Sequence, residues 1–166
     1  SLRAHGWTRD LPPKSPIFDS NSNDFYEAYR FILPGYNVRP LEFAGAIGLR
    51  QLKKLPVMTK VRRKNLSIFQ RLIGQNKNFI IQQENGKSSA FSFPIILHPE
   101  KHIDRDKVFE GLKKAQISYR IITGGNILRH DVSQFLEYET IGELKNANTV
   151  HDLGFFVGNH PIDLSS

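Results

Sequence analysis

The sequence predicts an α+β domain in which helices pack on one face of a small, mostly antiparallel sheet. Apolar residues recur at helical spacing over Leu41–Leu55 and again over Val57–Ile73. Two strand-like runs, Phe79–Gln83 and Ser89–Leu97, flank Asn85-Gly86, which is a strong hairpin signal. Long helical patterns beside a predicted hairpin favour this fold class.

The predicted helix Leu41–Leu55 is bounded by prolines and carries an unusually small face. Pro40 suits the first helical position, and Pro56 biases Leu55 away from helical geometry. Four small residues lie within five positions: Ala44, Gly45, Ala46 and Gly48. Because each interior glycine costs about 1 kcal/mol relative to alanine, this face indicates close approach by another backbone, either within the domain or from another chain.

The remaining elements follow from caps, breakers and short apolar runs. Prolines and an Asp-Ser-Asn run make Ser1–Asn23 an irregular connection. Pro94 cannot donate to a ladder, so its strand is predicted to lie at an edge or to carry a bulge. Periodicity leaves Asp24–Leu33 open between strand and short helix. Further helices and strands are predicted at Asp104–Ala115 (capped by Asp104), Tyr119–Thr123, Asp131–Leu136, Ile141–Leu153 and Phe155–Val157.

Composition limits the class of protein. The 166 residues suit one domain, and 39% hydrophobic content with twelve Phe can build a core. No apolar run approaches the roughly 20 residues that span a bilayer, so no membrane partner is expected. The chain contains no Cys, which fits a reducing compartment. A net charge of +7 suits an anionic partner, for which nucleic acid is the general expectation.

The residues themselves indicate one anion site and no catalytic or metal centre. Gly35 permits a sharp bend that presents Asn37 and Arg39 at a helix N-terminus, where a phosphate is favoured. His98 and His102 lack carboxylates at ligand spacing, so we expect loop histidines and no metal.

A basic cluster precedes Asn65 on the second helix: Lys60, Arg62, Arg63 and Lys64. This cluster predicts a solvated basic face or, alternatively, a site that binds phosphate or a partner. Asn65 itself falls on the apolar face of that helix.

Several short motifs together carry a family resemblance. They are His5-Gly6-Trp7, Gly35-Tyr36-Asn37-Val38-Arg39-Pro40, Arg62-Arg63-Lys64-Asn65, Thr123-Gly124-Gly125-Asn126 and Gly158-Asn159-His160. Over nearly its whole length the chain resembles the DegT/DnrJ/EryC1/StrS family of pyridoxal-phosphate-dependent nucleotide-sugar aminotransferases and dehydratases, and within it most resembles the GDP-sugar 3-dehydratase branch. The resemblance favours an extended segment over Asp24–Leu33.

The resemblance implies a set of site residues. Asn37 would hydrogen-bond the phosphate of pyridoxal phosphate held mainly by a partner subunit. Arg39 and Arg120 would meet the negative charge of a nucleotide-linked 4-keto-6-deoxy sugar. Asn126 aligns with a family R-x-x-x-G-N motif beside the substrate, although this chain has one extra glycine. His160 would form part of the active-site wall, and no catalytic residue is assigned to this chain.

The resemblance also implies the organisation of the chain. It would be the C-terminal portion of a cytoplasmic, homodimeric fold-type I enzyme of polysaccharide biosynthesis. Residues 1–39 would connect from an upstream cofactor-binding domain, and residues 40–166 would form the small C-terminal domain without its last helix. The chain alone would then be inactive, because the catalytic Lys or His lies upstream in the family. A basic nucleic-acid-binding module and a ligand-free interaction domain are the alternatives.

Overall fold

The computed structural model describes residues 2–9, 11–38, 42–122 and 124–165. Within these residues the elements are, in chain order, β1 (Lys14–Ser15), β2 (Phe18–Asp19), α1 (Asp24–Glu27), α2 (Glu42–Leu52), α3 (Leu55–Ile73), β3 (Phe79–Ile81), β4 (Ser92–Leu97), α4 (Arg105–Lys114), β5 (Tyr119–Arg120), α5 (Lys145–Leu153) and β6 (Gly154–Gly158). Short 3₁₀ turns occupy Pro99–Lys101, Ile127–Arg129 and Asp131–Phe135.

The main sheet has four strands in the order β3-β4-β6-β5, and every neighbouring pair is antiparallel. The predicted antiparallel sheet with packed helices is therefore confirmed. Strands β1 and β2 form a separate two-stranded ribbon. Among the residues that the structure describes, no helix combines the length and apolar character needed to cross a membrane.

The core lies between one face of this sheet and helices α3 and α4. Phe93 of β4 stacks on Phe69 of α3, with ring centres 4.5 Å apart. Phe109 of α4 stacks on Tyr119 of β5 at 4.2 Å and meets Phe155 of β6 edge-on at 5.5 Å. Aromatic pairs of this kind add about 0.5–1.5 kcal/mol beyond the area that they bury. Packing of helices on one face is thus observed directly.

The hairpin predicted around Asn85-Gly86 is confirmed in its strand pairing, although its connection is longer than the residues 84–88 expected between the two strands. Pairing of β3 and β4 ends at Ile81 opposite Ile95, so residues 82–91 form a long connection. The Glu84 carboxylate accepts a hydrogen bond from the Gly86 N–H at 2.9 Å and supports a local turn within it. Pro94 sits in an interior strand, but beyond the end of β3 it pairs only with Phe156 of β6, so its missing N–H is tolerated.

Helix boundaries differ from the sequence-based expectation where caps decide them. The extended segment expected over Asp24–Leu33 is wrong at its start, because the Asn23 side chain accepts from the Tyr26 N–H and caps α1. Helix α3 begins at Leu55 rather than Val57, with Pro56 in its first turn.

Two predicted helices near the C-terminal end are shorter or tighter than expected. Residues 131–135 form a 3₁₀ turn, and α5 begins at Lys145 rather than at Ile141. Gly142 has a φ of 72°, which a right-handed helix does not accommodate.

Candidate functional site

The segment that begins the chain pairs with the segment that precedes α2. Ala4 bridges Asn37 and Trp7 bridges Phe31, both in antiparallel sense. Between these bridges the His5 N–H donates to the Tyr36 carbonyl oxygen at 3.0 Å. Two of the family-like motifs therefore lie side by side, and the Asn37 side chain remains exposed.

Glycine is required where these two motifs meet. A Cβ atom on Gly35 would lie 2.2 Å from the Gly6 nitrogen, and one on Gly6 would lie 1.6 Å from the Leu33 carbonyl oxygen. Gly6 also has a φ of 82°, whereas Gly35 is not in the left-handed region. Gly35 is therefore needed for close approach of two backbones rather than for the sharp bend that the sequence suggested.

An aromatic and cationic cluster connects this pairing to the edge strand of the sheet. The Arg9 guanidinium lies 3.8 Å from the centre of the Trp7 ring, and Trp7 packs against Tyr29 with ring centres 5.5 Å apart. The Trp7 indole N–H donates to the Ala28 carbonyl oxygen at 3.1 Å. At the far side of the cluster, Arg120 Nη1 donates to the Tyr29 hydroxyl oxygen at 3.1 Å.

Arg120 and Tyr29 line an open cavity of about 440 Å³, together with Lys113 and Ser118. Arg120 is exposed, and its bond to a neutral hydroxyl leaves its charge uncompensated by any described carboxylate. Two cationic side chains, a hydroxyl and aromatic surface are groups that bind a phosphate ester next to an apolar or ring-shaped body. We call this space the Arg120 cavity.

The Asn126 side chain is used inside the chain. Its Oδ1 accepts from the Leu128 N–H at 3.0 Å, and its Nδ2 donates to Asn148 Oδ1 at 2.9 Å. The residue is buried and begins the 3₁₀ turn that follows the Gly124-Gly125 pair. The predicted contact of Asn126 with substrate stays a prediction. One of its two Nδ2 protons has no partner among the described residues and is available for such a contact.

His160 is exposed and stands beside a buried pair of asparagines. Asn65 of α3 is 2% exposed and Asn159 is 1% exposed. Asn65 Nδ2 donates to Asn159 Oδ1 and to the His160 carbonyl oxygen, each at 3.2 Å, and to the Ile162 carbonyl oxygen at 2.7 Å. Asn65 Oδ1 accepts from the Leu164 N–H at 3.1 Å. One side chain thus fixes the whole segment that carries His160.

Asn159 closes the other half of this network. Its Nδ2 donates to the Ala90 carbonyl oxygen at 2.7 Å and to the Arg62 carbonyl oxygen at 3.1 Å. Arg62 Nε in turn donates to the Asn159 carbonyl oxygen at 3.1 Å. The Arg62–Asn65 motif and the Gly158–His160 motif are therefore two sides of one contact, which we call the asparagine latch.

The latch assigns most of the basic cluster to internal contacts. Arg63 donates to the carbonyl oxygens of Lys87 and Ser88. Lys64 lies 2.6 Å from Asp163, and this contact lowers the pKa of the Asp163 carboxyl to about 2. Lys60, Arg63 and Lys64 are exposed, as a solvated basic face predicts, whereas Arg62 is half-buried, so that expectation is wrong for Arg62. The Asn on an apolar helix face was the sequence signal that could have revealed the latch.

The structure links two of the predicted site residues through intervening side chains and backbone, without a direct contact between them. Asn37 and Arg120 are joined through one series of contacts, from Ala4 and Trp7 to Tyr29. Among the described residues no hydrogen bond or ring contact joins His160 to either. Arg39 lies outside the described residues. In the part of the chain that the structure describes, no group of three His, Cys, Asp or Glu side chains is placed to hold a metal ion.

Comparison with known proteins identifies the family to which this α+β fold and these motifs belong. The profile of the DegT/DnrJ/EryC1/StrS aminotransferase family matches residues 2–161, so the chain belongs to this family. The resemblance read from the motifs is therefore confirmed.

Individual relatives are similar over nearly the whole chain. The GDP-4-keto-6-deoxy-D-mannose 3-dehydratase of Yersinia pseudotuberculosis is 48% identical over 99% of this chain and 42% of the relative. The E. coli enzyme of that name, whose structure contains bound hydrated pyridoxal phosphate, is 44% identical with a TM-score of 0.72, covering 98% of this chain and 42% of that chain. A UDP-4-amino-4,6-dideoxy-N-acetyl-beta-L-altrosamine transaminase of Campylobacter jejuni is 34% identical, covering 72% of this chain and 29% of the relative. The chain thus spans less than half the length of these relatives.

Proposed function

We propose that this chain is part of a pyridoxal-phosphate-dependent enzyme that acts on a nucleotide-linked 4-keto-6-deoxy sugar. The observation that carries the proposal is 48% identity to a GDP-4-keto-6-deoxy-D-mannose 3-dehydratase across 99% of the chain. The product would be a deoxy or amino sugar nucleotide for lipopolysaccharide or another polysaccharide.

Elimination of the 3-hydroxyl is the reaction we favour over transfer of an amino group to the keto carbon. The two 3-dehydratases match 98–99% of the chain at 44–48% identity. The transaminase of Campylobacter jejuni matches only 72% at 34% identity. Amino transfer at the 4-position is the runner-up within the same family.

The residues present fit the phosphate of the cofactor. The Asn37 side chain is exposed, and only its backbone is used in pairing with Ala4. Its amide can therefore donate to a phosphate oxygen, with Arg39 two residues later as a proposed substrate contact. When bound, the cofactor would supply the electron sink that this chemistry needs.

The Arg120 cavity is the proposed place for the anionic part of the substrate. The Arg120 fork can donate two parallel hydrogen bonds to a phosphate. Lys113 lines the same cavity and adds a second positive charge. Tyr29 holds the Arg120 side chain and offers ring surface, so this chain would orient the nucleotide diphosphate while groups elsewhere in the enzyme perform the chemistry. Asn126 and His160 remain proposed substrate contacts.

Helix α2 is proposed to pack against a second copy of the chain in the whole enzyme. From Phe43 to Leu52 every residue is exposed, with Phe43 at 78% and Leu49 at 71%. A Cβ atom added at Gly45 or Gly48 would meet nothing within 4 Å. The small face is therefore not packed within the described chain, which supports the homodimer that the family resemblance implies.

The arrangement in domains stays a proposal as well. Residues 1–39 would connect to a cofactor-binding domain, and residues 40–166 would form the small C-terminal domain. The pairing between Ala4–Trp7 and Phe31–Asn37 supports an ordered connection that presents Asn37 at its end.

Product analysis tests the proposed reaction. The complete protein is incubated with GDP-4-keto-6-deoxymannose, pyridoxal phosphate and glutamate, and the sugar product is identified by mass. We expect a 3-deoxy sugar nucleotide. A stable 4-amino sugar would overturn the dehydratase and leave the family standing, and an unchanged substrate would overturn both.

A further inference from the structure

A second cavity lies next to the Arg120 cavity and is assigned to no reaction step above. It has a volume of about 320 Å³. Phe25 and Ile121 line both cavities and therefore stand between them. The polar side chains around the second cavity include two guanidinium groups, two imidazoles and one carboxylate: Arg105, Arg129, His130, His151 and Asp152.

Arg105 is a half-buried cation without a carboxylate partner among the described residues. Its guanidinium carbon lies 5.0 Å from the Phe25 ring centre and 5.5 Å from that of Phe109. Its Nη1 donates to the His151 carbonyl oxygen at 2.9 Å. Burial is the main cause that lowers the pKa of Arg105. A partly desolvated charge needs an anion or strong acceptors nearby, and one backbone carbonyl satisfies one of its five N–H donors.

The carboxylate of the cavity is already paired with the other guanidinium. Arg129 Nη1 lies 2.7 Å from Asp152 Oδ1, and both side chains are about half exposed. This pair is close to neutral, so the charge of Arg105 remains in excess. The balance of the cavity is therefore positive.

The two imidazoles contribute one further N–H donor to the cavity. His151 Nδ1 accepts the Asn126 N–H at 3.0 Å, so the neutral ring carries its proton on Nε2. Burial first, and then the nearby Arg129, lower the pKa of His151. His130 is buried with Nε2 2.6 Å from the Gly124 carbonyl oxygen, which makes that nitrogen its donor as well.

We propose that this second cavity binds an oxyanion, either a phosphate or a carboxylate group of a small molecule, through Arg105 with support from Arg129. The guanidinium fork matches both kinds of oxyanion. The volume admits a molecule several times larger than the anionic group itself. The site would be separate from the Arg120 cavity, and the inference does not rest on the proposed reaction.

Titration of the ¹⁵N-labelled 166-residue chain by NMR at low chloride tests the proposal, with inorganic phosphate in one arm and succinate in the other. We expect saturable shifts of the Asn126 amide, which bonds to His151, in at least one arm. The arm that saturates at lower concentration identifies phosphate or carboxylate as the preferred group.

Matched variants locate the binding. Arg105→Gln should weaken binding at least tenfold, while Arg71→Gln removes an exposed arginine of α3 and should leave it unchanged. Arg105→Lys keeps the charge without the fork, so it should bind with intermediate affinity and decides the matter if Arg105→Gln does not fold. No saturable shift with either anion, or equal affinity in the wild-type chain and the folded Arg105 variants, would overturn the site.

Discussion

At the scale of single residues, the asparagine latch is a buried polar pair whose two side chains are fixed by hydrogen bonds. Asn65 and Asn159 are almost fully buried, and each side chain both donates and accepts. Buried amides persist only when such bonds are made, because an unpaired buried group costs about 1–3 kcal/mol. The latch is therefore specific for asparagine at both positions.

Asn65→Asp tests this specificity with almost no change in shape. The carboxylate cannot donate to Asn159, His160 and Ile162, so we expect the free energy of unfolding to fall by at least about 1–3 kcal/mol. Urea unfolding followed by circular dichroism measures the change. Asn85→Asp alters an exposed asparagine in the same way and serves as the control. Equal stability of both variants would show that the latch contributes little.

His151 gives a second prediction, on proton binding. Its pKa is lowered below the ordinary value of 6.5, chiefly by burial and next by Arg129. The unfolded chain then binds the proton more readily than the folded chain, so this group reduces stability as the pH falls below 6.5. Titration of the His151 ring signals by NMR should give a pKa under 6.5, and Arg129→Gln should raise it. A wild-type pKa at or above 6.5 would contradict the assigned environment.

The importance of a single residue could be predicted from the sequence only where the residue belongs to a recognisable motif. The motifs at Asn65, Asn159 and Gly35 were recognisable, but their contacts depend on which segments meet in space. The role read for Asn126 shows the limit, because a single sequence does not reveal that Leu128 and Asn148 already occupy most of its amide.

At the scale of elements, close contact between the two glycine-containing segments is the feature most sensitive to a single methyl group. In Gly35→Ala the new Cβ would lie 2.2 Å from the Gly6 nitrogen, which is backbone and cannot rotate away. Overpacking of this kind costs about 1–3 kcal/mol. Thermal unfolding should therefore show a clear loss of stability. Gly86→Ala, where the nearest atom is a Glu84 oxygen at 3.6 Å, is the control.

Helix α2 supplies a prediction on assembly. If its small face packs against a second copy, Gly48→Leu in the complete protein should weaken the dimer by about 1–3 kcal/mol through overpacking. Sedimentation at several protein concentrations measures the shift toward monomer. A Cβ atom at Gly111 of α4 also meets no atom within 4 Å, so Gly111→Leu is the control and should leave the dimer intact. An unchanged dimer in Gly48→Leu would refute the placement of this face.

The elements that the sequence predicted best are those with strong periodicity. Helices α3 and α4 and strands β3, β4 and β6 were all recognised, whereas their ends moved by one to several residues. The hairpin connection was predicted too short because both strands end earlier than their apolar pattern suggests, and Glu84 organises a turn within the longer connection. Periodicity left helix and strand open over Asp24–Leu33, and the side-chain cap at Asn23 decides for a short helix at its start.

At the scale of the whole molecule, the aromatic residues distinguish the proposed enzyme from a nucleic-acid-binding module. A stacking platform needs several exposed rings on one sheet face. Here Phe25, Phe69, Phe79, Phe109 and Phe155 belong to the core or pack against it. Among the described residues, the exposed rings are Tyr36, Phe43, Phe91, Phe135 and Tyr138. None of these five lies in a strand of the main sheet, so they do not form a stacking platform on a sheet face.

The 166-residue chain by itself should bind pyridoxal phosphate weakly at most. Asn37 contacts only the phosphate end in the proposed arrangement, and in the family the Lys or His and the ring-binding Asp belong to other segments. Mixing chain and cofactor should leave the visible absorbance of the cofactor unchanged. A stoichiometric absorbance change that borohydride fixes onto one specific Lys of this chain would contradict the proposal.

The central structural claim is that the Arg120 cavity holds the diphosphate of the nucleotide sugar, and the kinetics of one variant test it most directly. In the complete protein Arg120→Gln should raise the KM for GDP-4-keto-6-deoxymannose about 10- to 100-fold, since charged hydrogen bonds contribute about 1.5–3 kcal/mol. The product should stay the same, and Arg71→Gln should behave as wild type. A KM for Arg120→Gln equal to that of the wild-type protein would contradict the claim.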